Sequence, residues 1–261
     1  MPTTKPASSE TSKGETETAS VTGEGRSCCG HGGSAASNAC DRAATLSLPS
    51  RDVIMAMDLH ALIGRFRLAI ESMDPRVFEM PDQELDRPWD GSEGVGCWSC
   101  RALVSHLYDT DLLYHARLRR TLVEDAPVLE HFDEQAYLES PLYGGTGSDG
   151  RREPVRLPVG AMVASVHTLR QTLAAGLYQL SEADWSRRAM NPYLGETTLR
   201  VMLAHITWHF EHHAAYLNAK IEKLLGPRPE PVASSCEEDA AKPGGCGAGC
   251  GCAGGAKASA E

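Results

Sequence analysis

No stretch of this 261-residue chain stays apolar for the roughly 18 residues that a membrane-spanning helix needs, and no apolar core follows the first lysines as it would in a secretion signal. The expectation is a soluble, cytoplasmic protein with no membrane partner. Positive charge is also in deficit: 25 Lys and Arg stand against 35 Asp and Glu, a formal net charge of −10. That balance argues against nucleic acid as a partner, since such binding runs on phosphate neutralisation. The arginines Arg117, Arg119 and Arg120, with Arg151 and Arg152, then read as a solvated face. Strand signals are nearly absent. Large apolar side chains are scarce at both ends, where residues 1–50 are rich in Ser, Thr, Glu and Gly and residues 228–261 in Gly, Ala, Pro and Cys. Neither end can bury a core, so both read as disordered tails around one domain at 51–227.

Nine cysteines, an odd number, point to thiols rather than to a disulfide framework. Cys97-x-x-Cys100 lacks the strand-then-helix context of a redox motif, although Cys100, at a helix N-terminus, is expected to have a lowered pKa. Cys28, Cys29 and Cys40, near His31, and Cys236, Cys246, Cys250 and Cys252 have a spacing suited to soft ions. They support an alternative reading as a non-enzymatic metal-binding or metal-stress protein that uses its cysteine-rich tails.

What the chain does contain is helical periodicity. Met57, Leu59, Leu62, Ile63, Phe66, Ile70 and Met73 form the stripe of a first helix over about Asp52 to Met73. Asp74-Pro75 ends it, and Pro81 to Pro88 leaves room for one helical turn. A second helix follows from its cap at Ser99 to about Thr121, and Val128 to Leu138 suggests a short one. A third runs from Pro158 to Leu180 on Val159, Met162, Val166, Leu169, Leu173 and Leu177. A fourth begins at Thr197 or Thr198 and stops at Gly226-Pro227. The sum is an all-α protein, an up-down-down-up or related four-helix bundle.

Three histidines interrupt two of these apolar stripes. In the fourth helix Leu199, Met202, Ile206, His209, His213, Leu217, Ile221 and Leu224 recur at spacings of three and four. Two imidazoles four residues apart therefore share the buried face, close enough to meet one cation. A third ligand has to come from elsewhere. His106, on the stripe Leu103, His106, Thr110, Leu113 of the second helix, is the best placed, and His205, one turn before His209, is the alternative. Burying several imidazoles without partners costs roughly 1–3 kcal/mol each, which a shared ion removes. Three nitrogens with no obvious fourth ligand describe an open site, the pattern of catalytic rather than closed structural zinc. A structural site, whose metal holds the fold, is a third possibility. Zinc is the expected divalent cation on availability, although the same donors accept nickel, iron(II), cobalt or manganese. Tyr108, Asp109, His205, His212 and Tyr216 stand within a turn or so of these ligands as candidates for proton transfer or ligand support, with Asp109 placed to hold His106. His60, His115, His131 and His167 have no paired spacing and read as ordinary core-edge or surface residues.

The run Cys97-Trp98-Ser99-Cys100-Arg101-Ala102-Leu103-Val104-Ser105-His106-Leu107-Tyr108-Asp109-Thr110-Asp111 resembles the W-S-x-x-x-L-x-x-H-L-x-D-x-E signature of the DinB/YfiT-like superfamily of four-helix-bundle metalloenzymes. Asp111 stands where that family often has Glu. Leu194-Gly195-Glu196-Thr197-Thr198-Leu199-Arg200, continuing to Trp208-His209-Phe210-Glu211-His212-His213, is similar to the family's last helix, and the likeness covers about residues 52 to 225. The resemblance implies His106, His209 and His213 as metal ligands. It also implies a transferase or isomerase acting on a small-molecule substrate with a low-molecular-weight thiol as partner, and a homodimer; a hydrolase is the other expectation, since the same cation lowers the pKa of bound water to roughly 7.

Overall fold

The structure, a computed structural model, describes residues 46–144, 154–192 and 195–229. The chain divides into two units, Met1–Gly226 and Pro227–Glu261, and the helices belong to the first. The cysteine-rich tails, Arg151 and Arg152 lie outside the described residues.

Local capping decides where each helix begins. Ser50 caps α1 (Arg51–Ala56). The unbroken first helix expected to run to Met73 is interrupted at Met57, because the Asp58 carboxylate accepts the Ala61 N–H at 2.9 Å and starts α2 (Leu59–Leu68) afresh. A 3-10 turn follows over Ala69–Ser72, and the single turn expected near Pro81 is α3 (Asp82–Leu85). Ser99 accepts the Ala102 N–H at 3.1 Å and caps α4 (Cys100–Val123). The helix expected over Val128 to Leu138 shortens to α5 (Glu134–Glu139), capped by Asp133. Its first half is extended, since Val128 bridges Met190 and Leu129 donates to the Met190 carbonyl at 2.9 Å. A 3-10 turn over Pro141–Tyr143 precedes α6 (Val159–Leu177) and the one-turn α7 (Glu182–Trp185).

Two strands then depart from expectation. β1 (Arg188–Asn191) pairs antiparallel with β2 (Gly195–Thr198), Arg188 opposite Thr198 and Asn191 opposite Gly195. Four residues each, without β-branched or apolar alternation in β1, leave little periodicity to detect. Thr198 ends β2 and also caps α8 (Leu199–Leu225), accepting the Val201 N–H at 3.3 Å. Gly226 stops α8 with a φ of 80°, open to glycine and strained for other residues.

The long helices α2, α4, α6 and α8 form the expected four-helix bundle, with α4 and α2 each packed on α6 and α8. Two apolar clusters fill it. One is built around Phe66, Leu118, Leu177 and Ile206, the other around Leu103, Leu107, Phe210 and Leu217. Between them lies Arg170 of α6, fully buried, with its guanidinium 4.6 Å from the Phe66 ring and 4.3 Å from the Phe210 ring. It donates to both carboxylate oxygens of Asp111 on α4 at 2.7 and 2.9 Å, and to the Phe66 carbonyl on α2 at 2.9 Å.

Candidate metal centre

His106 on α4 and His209 and His213 on α8 meet at the α4–α8 contact. They are 1%, 5% and 2% exposed. Their ring centroids are 4.5 to 5.0 Å apart, His106 Nε2 lies 3.2 Å from His209 Nε2, and one nitrogen from each residue falls within 4.8 Å of the others. Nitrogens sharing one zinc-like ion tetrahedrally would stand roughly 3.4 Å apart, so the observed spacing needs only small ring adjustments. His213 Nε2, His106 Nδ1 and His209 Nδ1 are buried and have no hydrogen-bond partner among the described residues. A cluster of core imidazoles that leaves nitrogens unpaired is costly as it stands and suited to a cation. The donor set therefore fits a divalent metal.

Aromatic rings enclose the cluster. Trp98, just before α4, stacks on His213 at 5.7 Å with planes 7° apart and meets His106 edge-on at 4.9 Å. Phe132 and Tyr143, on either side of α5, stand 6.2 and 6.3 Å from His106. Tyr143 carries no signal in the sequence, where it lies in a non-periodic segment. Burial pushes the His106 imidazole down to about 3. His209 and His213 are held well below the ordinary histidine value, first by burial and then by their histidine neighbours.

An imidazole that protonates near 6.5 in the unfolded chain and far lower in the fold makes acid favour unfolding. The stability it confers is complete above about pH 6.5 and is lost as the pH falls toward 3. Metal-free protein is therefore expected to lose up to about 1.4 kcal/mol per pH unit for each such histidine in that window. Urea midpoints of chelator-treated protein at several pH values check this. The slope should be shallower in His106→Leu, and equal slopes in the two proteins would contradict the assignment.

The remaining candidates divide. His205 stands 6.0 Å from His209 and 5.6 Å from Tyr114. Burial, then Arg51 and Arg117, lowers it to about 4. Asp109 does not hold His106, whose Nδ1 has no partner. Its carboxyl, raised by burial, faces the Tyr143 hydroxyl, although short of a well-formed hydrogen bond. Tyr108 packs against the second apolar cluster. His212 lies among Trp208, His213 and Tyr216 at 5.0 to 5.3 Å. His60, His131 and His167 are exposed.

Two expectations from the sequence are corrected. Cys100 is fully buried, and burial pushes its thiol up to about 11, outweighing the helix terminus that was expected to lower it. Cys100 is a free thiol, so Cys97 and Cys100 are not joined to each other. Nor are the α4 arginines uniformly solvated. Arg119 is exposed and Arg120 pairs with Glu124 and Glu130, but Arg117 is 2% exposed.

Fold and cluster together define a four-helix bundle with a three-histidine centre. The chain belongs to the DinB superfamily, whose family model matches residues 65–217. A Bacillus licheniformis protein, provisionally named a metal-dependent hydrolase, is 27% identical over 168 residues, covering 64% of this chain and 87% of the relative. One from Bacillus mycoides with the same kind of name is 25% identical over 148 residues, or 57% of this chain and 76% of the relative. Among solved structures, YfiT from Bacillus subtilis, described as having an unusual four-helix bundle topology, matches with a TM-score of 0.53 at 24% identity, covering 64% of this chain and 87% of YfiT. No described helix is long and apolar enough to cross a membrane.

Proposed function

We propose that this chain is a divalent-metal-dependent enzyme, a thiol-dependent transferase in which His106, His209 and His213 hold the ion, zinc by expectation. The observation that carries the reading is the group itself: three buried imidazoles from two helices, with no fourth His, Cys, Asp or Glu in the group among the described residues. That leaves coordination positions for an exogenous nucleophile. A bound divalent cation supplies Lewis acidity there, bringing a thiol or a water to its deprotonated form near neutral pH. The chain's own residues orient and shield. Trp98 fixes the His213 ring plane, Phe132 and Tyr143 keep bulk water from His106, and His205, beside His209, is placed to take up or release a proton. A mostly aromatic enclosure suits a weakly hydrated thiol. The hydrolase names of the relatives favour a second reading, in which water takes the thiol's place.

Purified protein is expected to hold about one ion per chain. Its cobalt-substituted form should gain a thiolate-to-metal charge-transfer absorption when a small thiol is added. No such band, together with metal-dependent ester or amide cleavage, would replace the thiol reading by the water reading. Several soft ions per chain would favour the cysteine-tail alternative.

A further inference from the structure

Arg170 shows how this fold treats a buried guanidinium with a purely structural part: it is given a carboxylate. Arg117 is buried almost as deeply and has none. Neither it nor Arg51 takes part in an ion pair among the described residues. One Arg117 nitrogen donates to the Glu130 carbonyl, while Nε is buried without a partner. The Arg117 guanidinium lies 5.1 Å over the Tyr114 ring, and Tyr114 is 5.6 Å from His205. From the other side the Arg51 guanidinium lies 5.6 Å over Trp208, which is 5.7 Å from His205. His205 thus sits between two cation-bearing rings and 6.0 Å from His209, partly exposed, with a buried Nδ1 that has no partner.

We propose that Arg51 and Arg117, with His205 between them, form an anion subsite beside the three-histidine cluster, which takes a carboxylate carried by the substrate or by the thiol. Two guanidiniums without counter-ions among the described residues, in a chain of net charge −10, mark a place where negative charge is to be supplied from outside. A carboxylate there would pair with Arg117 in a water-poor setting, where charge-assisted hydrogen bonds are strong. It would also set the reacting end of the same molecule toward His209. The subsite's part in a reaction rests on the metal reading above, but its preference for anions does not.

The test compares succinate with uncharged succinamide on zinc-loaded full-length protein, read by tryptophan fluorescence and thermal shift, with zinc content measured on the same samples. Succinate is expected to bind about tenfold or more tightly. Arg117→Met should bring the two within about twofold, and Arg51→Gln, which leaves the buried residues in place, should remove a large part of the preference. Equal binding of the two probes by wild type, or a preference unchanged in Arg51→Gln and in folded Arg117→Met, overturns the proposal. A chain that holds no zinc yet keeps the arginine-dependent preference refutes the metal reading and leaves the subsite standing. Zinc-loaded protein without the preference does the reverse. Repeating the comparison with 3-mercaptopropionate and 2-mercaptoethanol on the cobalt form assigns the carboxylate. An arginine-dependent preference there places it on the thiol, whereas one seen only with succinate places it on the other substrate.

Discussion

Asp111→Ala is expected to destabilise the protein by about 3–5 kcal/mol, the usual cost of removing one partner from a buried ion pair. Arg170 cannot turn to solvent to escape. It is fully buried, clamped between Phe66 and Phe210, and held by the Phe66 carbonyl. Burial raises the Asp111 carboxyl and Arg170 opposes that rise, as befits a carboxylate kept charged by its partner. In a domain of this size the loss corresponds to roughly 10 °C in melting temperature. Replacing both partners, as in Asp111→Leu with Arg170→Met, should recover much of it, because no charge is then left unpaired. Thermal and urea unfolding of the single and double variants decide the matter. A single-variant loss under about 1 kcal/mol would mean that the pair is not the strut described here.

The second large effect is expected only when metal is bound. His209→Leu should abolish tight binding of a divalent ion, and with it the stabilisation an ion gives the folded state, about 4 kcal/mol at a free concentration a thousand times Kd. In chelator-treated protein the same change should cost little or even stabilise. It replaces a buried imidazole whose Nδ1 has no partner among the described residues, and which meets another histidine at hydrogen-bond distance, by a side chain suited to the core. A residue kept for packing alone would lose stability in both states. Paired melting curves in zinc and in chelator read the difference directly, and a destabilised metal-free variant would count against a ligand role.

Much of this was legible because helical spacing is a long-range signal. The stripes of α4, α6 and α8 run over five turns or more, and His106, His209 and His213 announce themselves as polar residues at positions the stripe reserves for apolar ones. What stayed hidden depends on single interactions. One aspartate, Asp58, splits a continuous stripe by capping. The hairpin is too short for periodicity. Tyr143 reaches His106 from an irregular segment. Asp111 and Arg170 meet across 59 residues, and nothing in either helix alone distinguishes them from surface charges. Arg117 reads as solvated for the same reason, since the default environment of an arginine is water. At Cys100 the helix terminus is visible in sequence and the depth of burial is not.

Thr198 belongs to a strand and to a helix at once, and that dual membership sets the angular phase of α8. Each helical residue advances about 100° around the axis. The pairing of Arg188 with Thr198 therefore determines the compass bearing of every side chain that follows, eleven and fifteen positions downstream included. The small hairpin, remote from any chemistry, acts as the keyway in which the shaft of α8 is seated.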